Sequence, residues 1–170
     1  GGVVKTIKEI FRSYGVLDSE GRHVGGTDKE TNHSYGDAYE SLFENYLGND
    51  RWESGRDNVE LMMEVGVADG SSLLAWRDVF PNAWCVGMDI HPAQKLLDLR
   101  PVDRIEFCLG DQRNLADCQR AAAGRQFDFI CEDATHYLSD TLVTLLYLWP
   151  SVKPGGVYVV EEFANIGALR

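Results

Sequence analysis

Several features are scarce or missing in this 170-residue chain, and each absence excludes something. No apolar run approaches the roughly 20 residues a helix needs to span a bilayer. The opening Gly-Gly-Val-Val-Lys-Thr-Ile-Lys-Glu-Ile-Phe has no basic start, no long apolar stretch and no small-residue cleavage site, so no secretory signal is read there. The four cysteines, Cys85, Cys108, Cys118 and Cys131, form no CxxC pair, which argues against a zinc site. Three of them sit inside apolar strand-like runs, so buried reduced thiols and a cytoplasmic compartment are expected. Positive charge is in short supply: 16 Lys and Arg stand against 27 Asp and Glu, a net charge of −11. That balance disfavours nucleic acid and anionic membrane as partners. No repeat, low-complexity tract or Pro/Gly/Ser linker divides the chain, and the GxGxxG fingerprint of dinucleotide-binding turns is absent.

The length suits one domain with a single core. Five short apolar runs read as strands: LMMEVGV (61–67), AWCVGMDI (83–90), RIEFCLGD (104–111), FDFICED (127–133) and GVYVVEE (156–162). Between them lie segments with helical spacing, clearest in SSLLAWRDVF (71–80) and SDTLVTLLYLW (139–149). Near-continuous hydrophobicity in strands that alternate with helices predicts an α/β fold: a Rossmann-like, doubly wound, mostly parallel sheet buried on both faces. Residues 1–50 read differently, as an amphipathic helix in VVKTIKEIFRSYG, a polar loop over 21–36 and a second helix in DAYESLFENYL. They form an attachment in front of an α/β core over 51–170. In such sheets ligands bind at the carboxyl ends of the strands, near the switch in strand order, where the acidic strand ends fall.

Glu64-Val65-Gly66-Val67-Ala68-Asp69-Gly70-Ser71-Ser72 closes the first strand and opens the first helix. Gly66 and Gly70 allow a sharp turn and a close approach to a ligand. Taken alone, this is an ordinary tight turn. The second strand ends in Asp89, about twenty residues on, where an acid typically accepts from ribose hydroxyls. The third ends in Gly110-Asp111-Gln112, where an aspartate can accept from an adenine amino group. Singly these are turn formers or caps; in this order they point to a nucleoside-bearing cofactor.

Strand four ends Glu132-Asp133-Ala134-Thr135-His136 and strand five ends Glu161-Glu162. Neighbouring strands lie about 4.8 Å apart, so Asp133, Glu161 and Glu162 are expected to converge. Carboxylates that close repel unless a cation neutralises them, and hard oxygen donors favour magnesium. Consecutive strand residues point to opposite faces, so Glu161 and Glu162 share a metal only where the strand bends; spacing does not separate them. His136 lies just beyond, and imidazole suits a general base near neutral pH. The competing reading leaves these acids solvated and His136 capping a helix. His23 and His91 read as surface residues.

The chain resembles class I S-adenosylmethionine (SAM)-dependent O-methyltransferases, especially the metal-dependent macrolide-sugar O-methyltransferases, and more distantly the cephalosporin-hydroxylase-like and rhamnosyl methyltransferases. The resemblance runs from about Gly26 to about Phe163. It rests on Gly26-Thr27-Asp28-Lys29 with His33 and Tyr35, on EVGVADGSSLLAW, GMDIHP, LGDQRN, FDFICEDATH and KPGGVYVVEE. It implies that Glu64, Gly66, Asp89, Asp111 and Gln112 surround the cofactor, with Gly70 and Asp133 counted beside them. It further implies that Asp133, Glu161 and Glu162 hold Mg2+, that His136 is the catalytic base, and that the Thr27–Tyr35 loop closes over the site. The implied reaction moves a methyl group from SAM to a hydroxyl of a sugar or polyhydroxylated natural product. Methylation of a catechol or vicinal diol, and a non-catalytic SAM-binding module, stand as alternatives. The expected partner is a small hydroxylated molecule, with a homo-oligomer left open. Two departures stand out: family members commonly carry aspartate where this chain has Glu162, and the C-terminal helix and antiparallel strand pair of the family fold have no counterpart before Arg170.

Overall fold

The computed structural model describes residues 4–47 and 55–161. The central feature is a five-stranded sheet of β3 (Leu61–Val65), β4 (Trp84–Asp89), β5 (Ile105–Leu109), β6 (Phe127–Glu132) and β7 (Val152–Val160), in the order β5-β4-β3-β6-β7. Every pairing in it is parallel. The chain steps outward from β3 to β5, then crosses back to place β6 on the other side of β3. The switch in strand order therefore lies between β3 and β6. The assignments of β3, β4, β5 and β6 agree with the apolar runs to within two residues. The last strand starts earlier than expected, because Val152 pairs with Phe127 before a register shift carries the ladder on through Val157. Among the described residues no antiparallel pair follows β7.

Strand alternation sorts the core into two layers. Met62, Cys85, Phe129 and Cys131 face the side covered by α1 (Ile7–Tyr14), α2 (Gly36–Tyr46) and α3 (Ser71–Val79). Met63, Val86, Met88 and Ile130 face the side covered by α5 (Leu115–Ala122) and α6 (Leu138–Leu148). The first layer is aromatic: Trp76 lies 5.0 Å from Phe11, 4.9 Å from Tyr39 and 5.2 Å from Phe129 between ring centroids, in edge-to-face contacts. Helices α1 and α2 thus complete the sheet's cover. The start of α1 is set by a capping box in which Thr6 and Glu9 satisfy each other's backbone N–H. The proposed boundary at 50/51 falls outside the described residues.

One departure concerns the front segment. The expected helix ends at Tyr14, and Gly15–Leu17 (β1) pairs antiparallel with His23–Gly26 (β2). The glycines of this stretch break any period-2 pattern, which is why a hairpin did not show in the sequence. The hairpin hands the chain to the Thr27–Tyr35 loop, and that loop enters the carboxyl-end face of the sheet. Among the described residues, no helix is long and apolar enough to cross a membrane.

Candidate active site

A cavity of about 440 Å³ opens at the carboxyl ends of the strands, beside the switch between β3 and β6. That size lies in the range of cofactor and small-molecule sites. Its floor depends on Gly66, whose φ is +85° and where a Cβ would come within 2.3 Å of the Asp133 carbonyl oxygen. Only glycine lets the ends of β3 and β6 meet so closely. The ladder then continues one residue past each strand: the Asp133 N–H donates to the Val65 carbonyl (2.8 Å) and the Glu161 N–H to the Glu132 carbonyl (2.9 Å).

Of the residues singled out from the sequence, Gly66, Asp89, Asp111, Gln112, Asp133 and His136 line this cavity. Glu64, Gly70 and Glu161 do not. Glu64 is fully buried behind the turn and accepts from Trp76 Nε1 (2.8 Å) and the Ser72 hydroxyl. Gly70, with φ of +99°, packs on Leu96, whose Cγ would lie 2.5 Å from an added Cβ. Glu162 lies outside the described residues. His91, exposed as expected, and the half-buried His23 line the cavity with Thr27 and Asp28 of the front loop. The β1–β2 hairpin brings His23 there, which no local spacing signals, whereas His91 follows Asp89 at the end of β4.

Two carboxylates face the cavity already partly satisfied. Asp89 accepts from the N–H groups of Val67 (2.9 Å) and Ala68 (3.0 Å) through one oxygen and of His91 (3.0 Å) through the other. Asp111 accepts from the Arg113 backbone N–H and side chain at 2.8–3.0 Å, and this pairing with Arg113 lowers its pKa. A carboxylate has about four acceptor positions, so each retains one for a ligand hydroxyl or amino group. Gln112 is instead engaged inward, donating to Thr144 Oγ1 (2.8 Å) and Glu132 Oε1 (3.3 Å). On the opposite wall His136 sits at φ +62°, a left-handed conformation that favours glycine. Its Nδ1 is 3.7 Å from Asp133 Oδ1, too long for a hydrogen bond.

Behind this wall lies a dry cluster that the sequence did not suggest. The Lys29 side chain, 1% exposed, drives its ammonium between three carboxylates: Glu161 at 2.7 and 2.8 Å, Asp133 at 3.3 Å and Glu64 at 3.4 Å. The Tyr39 hydroxyl and, at 3.4 Å, the Cys131 thiol also donate to Glu161 Oε1. Burial pushes the Glu161 carboxyl up, but the Lys29 ammonium, with hydrogen bonds from Lys29, Tyr39 and Asp133, outweighs it and holds it below the ordinary range. Burial likewise works against the Lys29 charge, and its anionic surroundings hold it well above an ordinary lysine. One ammonium cannot balance every carboxylate. The surplus falls on Asp133, which burial and the neighbouring Glu161 push up to about 9 despite Lys29.

The charge problem that suggested magnesium is thus met, for Glu161, by a lysine from the front loop. Among the described residues no group of three or more His, Cys, Asp or Glu side chains is arranged to hold a metal. Asp133 faces the cavity, whereas Glu161 is turned into the cluster. As placed, the described donors do not fit a magnesium ion.

The sheet order, the glycine turn between β3 and α3, and the acids ending successive strands define a class I methyltransferase fold. Residues 63–163, more than half of the chain, match the model of the methyltransferase-domain family, and the chain belongs to that family. Among curated relatives, the 8-demethyl-8-alpha-L-rhamnosyl tetracenomycin-C 2'-O-methyltransferase of Streptomyces olivaceus is 30% identical over 145 residues, covering 81% of this chain and 35% of the relative. The mycinamicin VI 2''-O-methyltransferase of Micromonospora griseorubida is 30% identical over 109 residues, covering 59% of this chain and 26% of the relative. The chain therefore spans about a quarter to a third of the length of the curated relatives it matches. The structure of the MycE methyltransferase from the mycinamycin biosynthetic pathway, in complex with Mg and SAH, superposes with a TM-score of 0.71 at 23% identity, over 95% of this chain and 40% of that one.

Proposed function

We propose that this chain carries the SAM-binding and catalytic face of an O-methyltransferase acting on a hydroxyl of a sugar or other polyhydroxylated natural product. The observation that carries this reading is the cavity at the strand switch, with spare acceptor positions on Asp89 and Asp111 along one wall and His136 on the other. The sugar-directed O-methyl transfer in the relatives' names supports the substrate class. SAM, when bound, supplies an electrophilic methyl group. The rest falls to the protein. Asp89 and Asp111 accept hydrogen bonds from the cofactor's hydroxyl and amino groups, and the Gly66 turn admits it close to the backbone. The His136 imidazole takes the proton of the attacking hydroxyl, from a position fixed by the left-handed backbone at the end of β6. The front loop narrows the cavity and aligns the reactants. The free thiols suit a reducing, cytoplasmic setting.

The test is incubation with SAM and a panel of hydroxylated sugars and glycosides, followed by mass analysis for singly methylated products and SAH. SAM binding without any methylated product would instead mark a binding module. Magnesium is the finer part of the reading, supported by its presence beside SAH in the MycE complexes. No step is assigned to it, because the donors here do not fit it. Loss of transfer in chelator and recovery with magnesium would bring the metal into the reaction; full transfer in chelator would remove it.

A further inference from the structure

We propose that His23, on the front hairpin, is the partner of the cofactor's carboxylate, which it meets as a protonated imidazole; the assignment rests on the SAM reading above and deepens it. Charge sets the need for such a partner. SAM carries a carboxylate at its amino-acid end, and five aspartates, Asp28, Asp69, Asp89, Asp111 and Asp133, line the cavity. An anion entering there is repelled unless a positive group meets it. The glycine turn offers it little. The N–H groups of Val67 and Ala68 are taken by Asp89, and that of Ser71 by Asp69, at 2.9–3.0 Å. Those of Gly66 and Gly70 go to the carbonyls of Met88 and Val67. A turn that could receive an anion at the start of α3 is thus already held by carboxylates of its own.

The positive or protonatable side chains lining the cavity are Arg113, His91, His136 and His23. Arg113 lies on Asp111, through Nε at 3.0 Å and Nη2 at 2.8 Å. His91 follows Asp89 at the end of β4, the strand end that receives the ribose. His136 is the base, and the methyl group must lie beside it. The amino-acid end leaves the same sulfur and so lies away from the Asp89 and Asp111 wall. His23 is the group left for it. Its Nδ1 is anchored 2.7 Å from Thr31 Oγ1. Thr31 is itself wedged, its Cγ2 lying 2.6 Å from where a Cβ on Gly15 would sit. The Thr31 hydroxyl reaches the Thr27 carbonyl at 3.5 Å. A hydroxyl donating there accepts from Nδ1–H, and an imidazolium so held carries its other proton on Nε2. That nitrogen has no hydrogen-bond partner among the described residues, so it is the donor left for a ligand.

The test compares SAM with its decarboxylated form, S-adenosyl-3-methylthiopropylamine, which lacks only the carboxylate. Calorimetric titration is run at about pH 6, where an ordinary imidazole is mostly protonated. The parent should bind SAM at least about tenfold more tightly than the decarboxylated form, although the acidic lining by itself favours the latter's extra positive charge. His23→Ala should weaken SAM about tenfold to a hundredfold and leave the decarboxylated form within about twofold of the parent. Unchanged SAM affinity in the variant, or equal losses for both ligands, would overturn the assignment. Where His23→Ala does not fold, His23→Phe keeps the ring, removes its nitrogens and carries the same expectations. Equal binding of the two ligands by the parent sinks the idea without any variant. A parent that binds neither ligand refutes the cofactor reading itself, whereas SAM binding that survives loss of His23 refutes only the role of that residue.

Discussion

The two groups of carboxylates at the ends of the sheet differ in what satisfies them. Asp89 and Asp111, ending β4 and leaving β5, are held by backbone N–H groups and the exposed Arg113, and keep acceptor capacity toward the cavity. Glu64 and Glu161, in β3 and just after β7, are held by Lys29, Tyr39 and Trp76 in a compartment closed to solvent. Residues of like chemistry at the same end of one sheet thus do different work. Wall carboxylates can exchange a partner for a ligand at little cost. Cluster carboxylates cannot lose a partner without leaving a buried charge. Asp133 belongs to both, with Oδ2 on Lys29 and Oδ1 toward His136.

Breaking the dry side should give the largest effect. Lys29→Met removes one partner of a buried ion pair, and stability should fall by about 3–5 kcal/mol. Urea denaturation of parent and variant measures it, and a loss under about 1 kcal/mol would mean that the cluster is held by other means.

On the wall, effects should appear in turnover. His136→Ala should lower the rate of methyl transfer by about 10²–10⁴-fold while SAM affinity and the urea midpoint stay near the parent's. A variant that keeps its rate would show that His136 serves the loop alone.

Asp89→Ala should weaken SAM binding by about 1.5–3 kcal/mol, the value of a hydrogen bond to a charged group. Because Asp89 also ties down Val67 and Ala68, amide exchange at those two residues should rise in the same variant. Faster exchange with unchanged affinity would assign Asp89 to the turn and not to the cofactor.

The smallest effect sharpens the contrast through thiols. Burial pushes Cys118 up to about 11 and Cys85 up to about 12, and raises Cys131 well above an ordinary thiol. Thiolate is the reactive form, so at pH 8 the native chain should be alkylated first at the half-buried Cys108, with the other three reacting only on unfolding. Rapid labelling of Cys131 would contradict a dry cluster.

Much of this architecture could be read along the chain. Apolar runs bounded by glycine turns and acids placed β3, β4, β5 and β6 to within two residues, because strand burial on two faces is a local property of composition. The same runs carried Asp89, Asp111, Asp133 and His136 to the carboxyl edge, since a parallel sheet points all its strand ends one way. Three things were settled only by packing. The β1–β2 hairpin carried His23 to the cavity and Lys29 into the cluster. Glu64 and Gly70 lie behind the turn, because the residue that closes a turn and the residue that faces the ligand differ by a few positions that spacing does not resolve. The cation for Glu161 was the third. The sequence showed that carboxylates would meet and need a positive partner, while tertiary structure chose Lys29, 132 residues from Glu161 along the chain. No periodicity reports a contact at that separation; only the seating of the front loop against β6 and β7 creates it.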